Sequence, residues 1–94
     1  MLFRSYILFY KTVEDYIERR AAFREDHLKM VNDYYARGEL IMAGAYANPA
    51  NGAVLVFKGS SPEVANQFAL HDPYVKNGLI LSWEIREWTV VVGA

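Results

Sequence analysis

Apolar residues along this chain come in blocks of two different periods, with polar punctuation between them. The segment 2–10 reads LFRSYILFY, rich in β-branched and aromatic side chains. It predicts a mostly buried strand that ends near Lys11 and Thr12. Thr12 is placed to cap a helix, with Asp15 in the first turn, where negative charge suits the N-terminus. Residues 13–37 hold neither proline nor glycine, which predicts one long helix closed by Gly38 as its left-handed C′ residue. Residues 40–46 predict a second strand, NPANG at 48–52 a turn whose Asn51-Gly52 pair suits a hairpin, and residues 53–58 a third strand. Ser61 as cap, Pro62 at the first helical position and Glu63 behind it open a second helix, which runs to about His71. Asp72-Pro73-Tyr74 breaks that helix, because a residue before proline is pushed out of helical angles. A short irregular or helical piece then reaches Gly78, and residues 79–92 predict a long closing strand. The order β-α-β-β-α-β is that of a ferredoxin-like α+β sandwich with an antiparallel sheet.

The first helix carries an anomaly. At about 100° per residue, Val13, Tyr16, Ile17, Leu28, Val31, Tyr34 and Tyr35 fall on one stripe, which is expected to face the sheet. Glu14, Glu18, Glu25, Lys29 and Asp33 fall opposite, as solvated residues should. Arg20, Arg24 and His27, spaced i, i+4 and i+7, lie inside the apolar stripe. Burying such groups without partners is costly, so carboxylates, an anion, water or a cavity are expected beside them. The plainer alternative is that the arginines reach the sheet edge with their charged tips and the histidine is a satisfied core residue.

Asp72 is the candidate partner. A carboxylate at a helix end, followed by a rigid proline, is held in place by backbone geometry. Both helices of a sandwich cover one sheet face, so the Asp72 loop is expected to reach the middle of the first helix. A carboxylate on one imidazole nitrogen sets the tautomer and makes the other nitrogen a general acid or base near neutral pH. Without that contact, Asp72 is only a helix-terminating turn.

Composition narrows the classes. At 94 residues there is room for one domain, 1–94, with one core. The chain has no cysteine, so neither disulfides nor thiolate metal sites stabilise it. With 53% hydrophobic residues in so short a chain, oligomerisation is the remaining common device, and a homodimer is expected. A net charge of −1 without a basic run argues against nucleic acid. The apolar stretch 6–10 is too short to span a bilayer, and no small-residue cleavage site follows it. Neither a membrane segment nor a signal peptide is expected, and the cytoplasm is the default location.

The ordered residues also resemble a known family. Arg20, Arg24, His27-Leu28, Gly38, Leu40 and Ala43-Gly44 are similar to the R…R..HL…G.L..AG pattern of YCII-related (YciI-like) proteins. Ser61, Glu63 and Ala65 match the start of that family's second helix. Asp72-Pro73-Tyr74, with Val75 and Gly78-Leu79, resembles its DPY..aGl element, and Ile85 and Trp88 suit its closing strand. The resemblance spans nearly the whole chain. It implies a ferredoxin-like fold of the dimeric α/β-barrel type, with His27 and Asp72 as the active-site pair. It also implies lyase-type chemistry on hydroxylated, halogenated aromatic rings. The loop after Gly44 is shorter than in many members, which leaves the pocket mouth and its specificity open.

Other candidates carry less. His71, beside Asp72, suits an exposed last helical turn. His27, His71 and scattered carboxylates lack ligand spacing, so no metal is expected. Ser5, Ser60, Ser61 and Ser82 have no nucleophile-elbow context, and no glycine-rich phosphate loop is present. Tyr34, Tyr35, Tyr46, Trp83 and Trp88 are expected in the core or a dimer interface. Tyr74, behind the rigid Asp-Pro, is a pocket-lining candidate. Two main readings follow. In the first, a cofactor-independent lyase or isomerase uses His27 as acid/base, Asp72 as its orienter, and Arg20 or Arg24 to bind an anionic or enolate oxygen. In the second, the same cluster holds a small ligand or specifies packing in a non-catalytic accessory dimer. A partner-binding regulatory module is a third, and needs an exposed apolar patch beyond the dimer interface.

Overall fold

The computed structural model describes residues 4–93. Strand β1 (Arg4–Thr12) alternates strictly, with Tyr6, Leu8, Tyr10 and Thr12 buried on one face. That period of two makes it the central strand of a half-covered sheet. Leu2 and Phe3, assigned above to this strand, lie outside the described residues. Strands β2 (Leu40–Ala45), β3 (Gly52–Gly59) and β4 (Ile80–Trp88) complete an antiparallel sheet of order β2-β3-β1-β4. Register places Tyr10 between Ala53 on β3 and Trp83 on β4. Tyr6, Leu8, Tyr10, Leu40, Leu55 and Phe57 form the sheet side of the core, and Ala65, Phe68 and Ala69 close it from above. The α+β, ferredoxin-like β-α-β-β-α-β order holds.

Several boundaries move. The strand continues through Thr12, so Thr12 caps no helix, and Asp15 stands at the N-cap without a side-chain cap bond. The single helix over 13–37 is two: α1 (Tyr16–Arg20) and α2 (Arg24–Ala36). Residues 21–23 turn tightly, with the Phe23 N–H donating to the Arg20 carbonyl at 2.9 Å and Phe23 at φ −121°, ψ −1°. The break lets Phe23 pack against a second apolar cluster of Tyr16, Tyr74 and Leu79. The inward face of α2 is His27, Met30, Val31 and Tyr34, whereas Leu28 and Tyr35 are exposed, as is Ile17 on α1. Gly38 ends α2 at φ +78°, as expected.

Gly52 makes no positive-φ hairpin turn; it is the first residue of β3, after a six-residue connection. Its lack of a side chain is needed all the same. A Cβ there would sit 2.6 Å from the Tyr46 ring and 2.7 Å from the Tyr10 carbonyl oxygen. Helix α3 (Glu63–His71) starts one residue later than expected, with Pro62 at the N-cap and the Ser61 hydroxyl accepting from the Glu63 N–H at 3.3 Å. The break at Asp72 is as expected, followed by the four-residue α4 (Pro73–Lys76). The last strand stops at Trp88 rather than near residue 92, and Val91 and Val92 are almost fully exposed.

The uncovered sheet face is divided. Ile7 and Phe9 lie opposite Val56 and Val54, with Met42 and Gly44 beyond them on β2. On the other side, Arg86 and Glu84 of β4 lie opposite the same two β1 residues. The apolar half forms a shallow groove of about 320 Å³ over Met42, Val54 and Val56.

Candidate functional site

The site begins with the Asp72 backbone. Its extended conformation, φ −65° and ψ 123°, ends α3, and Pro73 starts α4 with a pre-set φ. The Asp72 side chain caps the new helix by accepting from the Tyr74 N–H at 3.0 Å through Oδ1. The same oxygen lies 2.7 Å from His27 Nδ1, and Oδ2 accepts from the Tyr10 hydroxyl at 2.7 Å. The Asp72 side chain is completely buried and that of His27 is 13% exposed. Three partners from three elements thus converge on one buried carboxylate. That is the arrangement a buried charge requires.

His27 is clamped from the sides as well. Its ring stacks on Tyr74, with centroids 3.8 Å apart and planes within 7°, and meets Phe68 edge-on at 6.4 Å. With Nδ1 donating to Asp72, the neutral ring carries its lone pair on Nε2. His27 lines a cavity of about 290 Å³ between the sheet and α2, at the small end of ligand pockets. Tyr10, Tyr74, Arg20 and Arg24 line it too, with Ala43, Gly44 and Ala45 of β2 as a small-residue wall. Burial, helped by the nearby Tyr16 hydroxyl, pushes the Tyr74 phenol up from its ordinary value, with Arg24 and Arg20 pulling the other way. Burial first, then Asp72, pushes the Tyr10 phenol far above its ordinary 10.0, so its proton stays in place.

The arginines differ from expectation. Asp72 answers His27 alone, and among the described residues neither Arg20 nor Arg24 makes an ion pair. Arg24 is exposed and Arg20 partly so, its guanidinium 5.4 Å from the Tyr16 ring centroid. They stand at the rim of the cavity rather than under the helix. His71 is exposed in the last turn of α3, its Nδ1 2.8 Å from the Gln67 carbonyl, as expected. Among the described residues, no group of three or more His, Cys, Asp or Glu side chains is placed to hold a metal ion.

Tyr10 is the residue that sequence reasoning passed over. The signal was present: strand alternation buries it, and a buried tyrosine hydroxyl needs an acceptor. A larger groove, about 800 Å³, lies between the end of α2 and the start of α3. Its rim includes the Arg37–Glu39 pair, closed at 2.7 Å, and it holds neither histidine nor aspartate. His27 lines the smaller cavity instead.

Comparison with known proteins agrees with this architecture. The chain is 28% identical over 85 residues to an uncharacterised protein of Haemophilus influenzae, covering 79% of this chain and 85% of that one. Among solved structures it is similar to the 5-chloro-2-hydroxyhydroquinone dehydrochlorinase TftG of Burkholderia phenoliruptrix AC1100, in complex with 2,5-dihydroxybenzoquinone. That match has a TM-score of 0.77 at 17% identity over 90% of this chain and 93% of that one. An uncharacterised NIPSNAP-like domain protein from Burkholderia xenovorans shares the fold at TM-score 0.62 and 12% identity, over 98% of this chain and 89% of the other. No helix among the described residues is long and apolar enough to cross a membrane. The family profile of the YCII-related domain matches residues 4–89, and the chain belongs to the YCII-related family.

Proposed function

We propose that this protein, acting as one domain over residues 1–94, is a small acid/base enzyme of the lyase or isomerase type acting on an anionic or aromatic substrate. In this reading His27 Nε2 takes a proton from a substrate C–H or O–H. The electron pair left behind moves into the adjacent bond and either expels an anionic leaving group or accepts the proton again at another atom. Asp72 holds the imidazole tautomer and balances the imidazolium that forms. Arg20 and Arg24 at the rim bind the developing oxyanion. Tyr74, stacked flat on His27, keeps the ring in plane and walls the cavity. The observation that carries the reading is the 2.7 Å contact of His27 Nδ1 with a fully buried carboxylate, at the wall of an open cavity. The likeness of fold to TftG, a dehydrochlorinase of a hydroxylated ring, makes small hydroxylated quinols and keto acids the first compounds to screen.

A ligand that binds only the folded chain raises the melting temperature, so thermal shift identifies candidates and turnover is then measured. His27→Ala is expected to abolish turnover while leaving the circular dichroism spectrum unchanged. Turnover at the wild-type rate refutes the assignment, whereas ligands that raise the melting temperature of the wild type without being turned over favour a non-catalytic ligand-binding domain.

The apolar half of the open sheet face supports a homodimer, with Ile7, Phe9, Met42, Val54 and Val56 covered by a second copy. Met42 is 61% exposed in the single chain. Met42→Asp is expected to yield a folded monomer in sedimentation equilibrium. A wild-type protein that sediments as a monomer sinks the dimer.

A further inference from the structure

We propose that Tyr10 is a positioning residue for the proton-transfer pair: its hydroxyl holds Asp72 Oδ2 so that Oδ1 stays aimed at His27 Nδ1. This rests on the functional reading above for its consequence in turnover, but not for its structural content.

The geometry makes the case. Asp72 Oδ1 has two donors, the Tyr74 N–H at 3.0 Å and His27 Nδ1 at 2.7 Å. Oδ2 has one, the Tyr10 hydroxyl at 2.7 Å. The Tyr74 N–H, two residues from Asp72, holds Oδ1 with a single hydrogen bond, so on its own it resists turning of the carboxylate about the Cβ–Cγ bond only weakly. A second anchor on the other oxygen fixes the plane. Tyr10 supplies it from the middle of the sheet, 62 residues away in sequence. The anchor is rigid, because Tyr10 is 4% exposed and paired on both sides by Ala53 and Trp83 in the register of the central strand. It is also a donor under all working conditions, since burial keeps the phenol protonated. Tyr10 thus competes with His27 for no proton. Its effect passes entirely through the orientation of Asp72.

Without it, Oδ2 is buried with no donor, and a carboxylate in that state turns toward whatever donors remain. The acceptor then leaves the plane of the imidazole, and Nδ1 loses the bond that selects its tautomer.

The test is Tyr10→Phe, read first by 15N NMR of the His27 ring in the otherwise unmodified protein. In its neutral form, the wild-type ring is expected to show one protonated nitrogen, Nδ1, and one bare nitrogen, Nε2. The variant is expected to lose that single-tautomer pattern, with the two shifts drawn together and the Nδ1 proton exchanging faster. With a substrate in hand, kcat is expected to fall about 10- to 100-fold with KM within about threefold, the scale of one lost buried hydrogen bond. Leu8→Ala is the control, since it loosens the same face of β1 without removing any hydrogen bond to Asp72. It should leave the ring pattern intact. A folded Tyr10→Phe protein with the wild-type ring pattern overturns the proposal, and so does a Leu8→Ala protein that loses the pattern equally. Should Tyr10→Phe not fold, the wild-type hydroxyl proton decides. Slow exchange and a resolved low-field resonance support the anchor, and exchange as fast as that of a surface tyrosine overturns it. If His27→Ala keeps full turnover while Tyr10→Phe scrambles the ring pattern, the enzymatic reading has failed and the positioning role stands.

Discussion

The Tyr10–Asp72–His27 cluster makes a thermodynamic prediction that requires no substrate. Asp72→Ala removes an acceptor that is 0% exposed and leaves its three partners behind. The His27 ring is 13% exposed and can turn one nitrogen toward water. The other two groups cannot, because Tyr10 is 4% and Tyr74 3% exposed. Each buried donor left unpaired costs about 1–3 kcal/mol, the Tyr74 share including the lost cap of α4. The gain from no longer burying a charge offsets part of this, for a net loss of roughly 4 kcal/mol. Tyr10→Phe alone strands Oδ2 and costs about 2 kcal/mol. In the double variant the stranded hydroxyl is gone, so the pair should cost only about 3–4 kcal/mol, against about 6 kcal/mol if the two losses were independent. A coupling of roughly 2–3 kcal/mol is thus expected.

Urea unfolding of the four proteins, followed by far-UV circular dichroism at neutral pH, measures this directly. In thermal melts, a loss of about 4 kcal/mol corresponds to a drop of roughly 16–32 °C for a domain of this size. The double variant should melt at or above Asp72→Ala. Losses that add to within about 0.5 kcal/mol would mean the two side chains do not share a bond, and the site as described would be wrong.

Two further predictions concern Tyr10 and its surroundings. Gly52→Ala drives a Cβ to 2.7 Å from the Tyr10 carbonyl oxygen, which cannot yield without moving β1, so about 1–3 kcal/mol should be lost. Gly38→Ala meets nothing within 4 Å and should cost only about 1–2 kcal/mol, from its φ of +78°; equal stability of Gly52→Ala and wild type refutes the close approach. Tyr10 should also make the protein lose stability in alkali. Its phenol is raised in the folded state, so above about pH 10 the unfolded chain sheds a proton that the folded chain keeps, and stability falls as pH rises. Tyr10→Phe removes that contribution, and the slope of unfolding free energy between about pH 9 and 11 (about one unit either side of the ordinary phenol value) should be shallower. An unchanged slope counts against it.

How far the chain could be read in advance depended on whether each feature was local. Gly38 and Asp72-Pro73 are local: a left-handed residue and a pre-proline break follow from backbone sterics at one or two positions, and both stand where expected. The approach of Asp72 to His27 was legible for a related reason. Once two helices must cover one sheet face, a carboxylate fixed at the end of one has few places to go. The break at residues 21–23 was not legible, because Ala21 and Ala22 are good helix formers with no proline or glycine near them. What breaks the helix there is tertiary, the burial of Phe23 against Tyr16, Tyr74 and Leu79. The other errors on this segment have a separate cause. A stripe drawn wide enough to hold every apolar residue placed Leu28 and Tyr35 inward and put Arg20 and Arg24 under the helix, whereas Leu28 and Tyr35 lie roughly 80–100° round α2 from His27, and Arg24 is exposed and Arg20 half-exposed at the cavity rim. Tyr10 was missed by the opposite habit, since an aromatic in an alternating strand is counted as core and its hydroxyl is forgotten. Its oxygen is what turns a buried ring into part of a polar cluster. A buried side chain with a polar tip is therefore evidence of a partner, and here the partner is Asp72, the most enclosed charge-bearing group among the described residues.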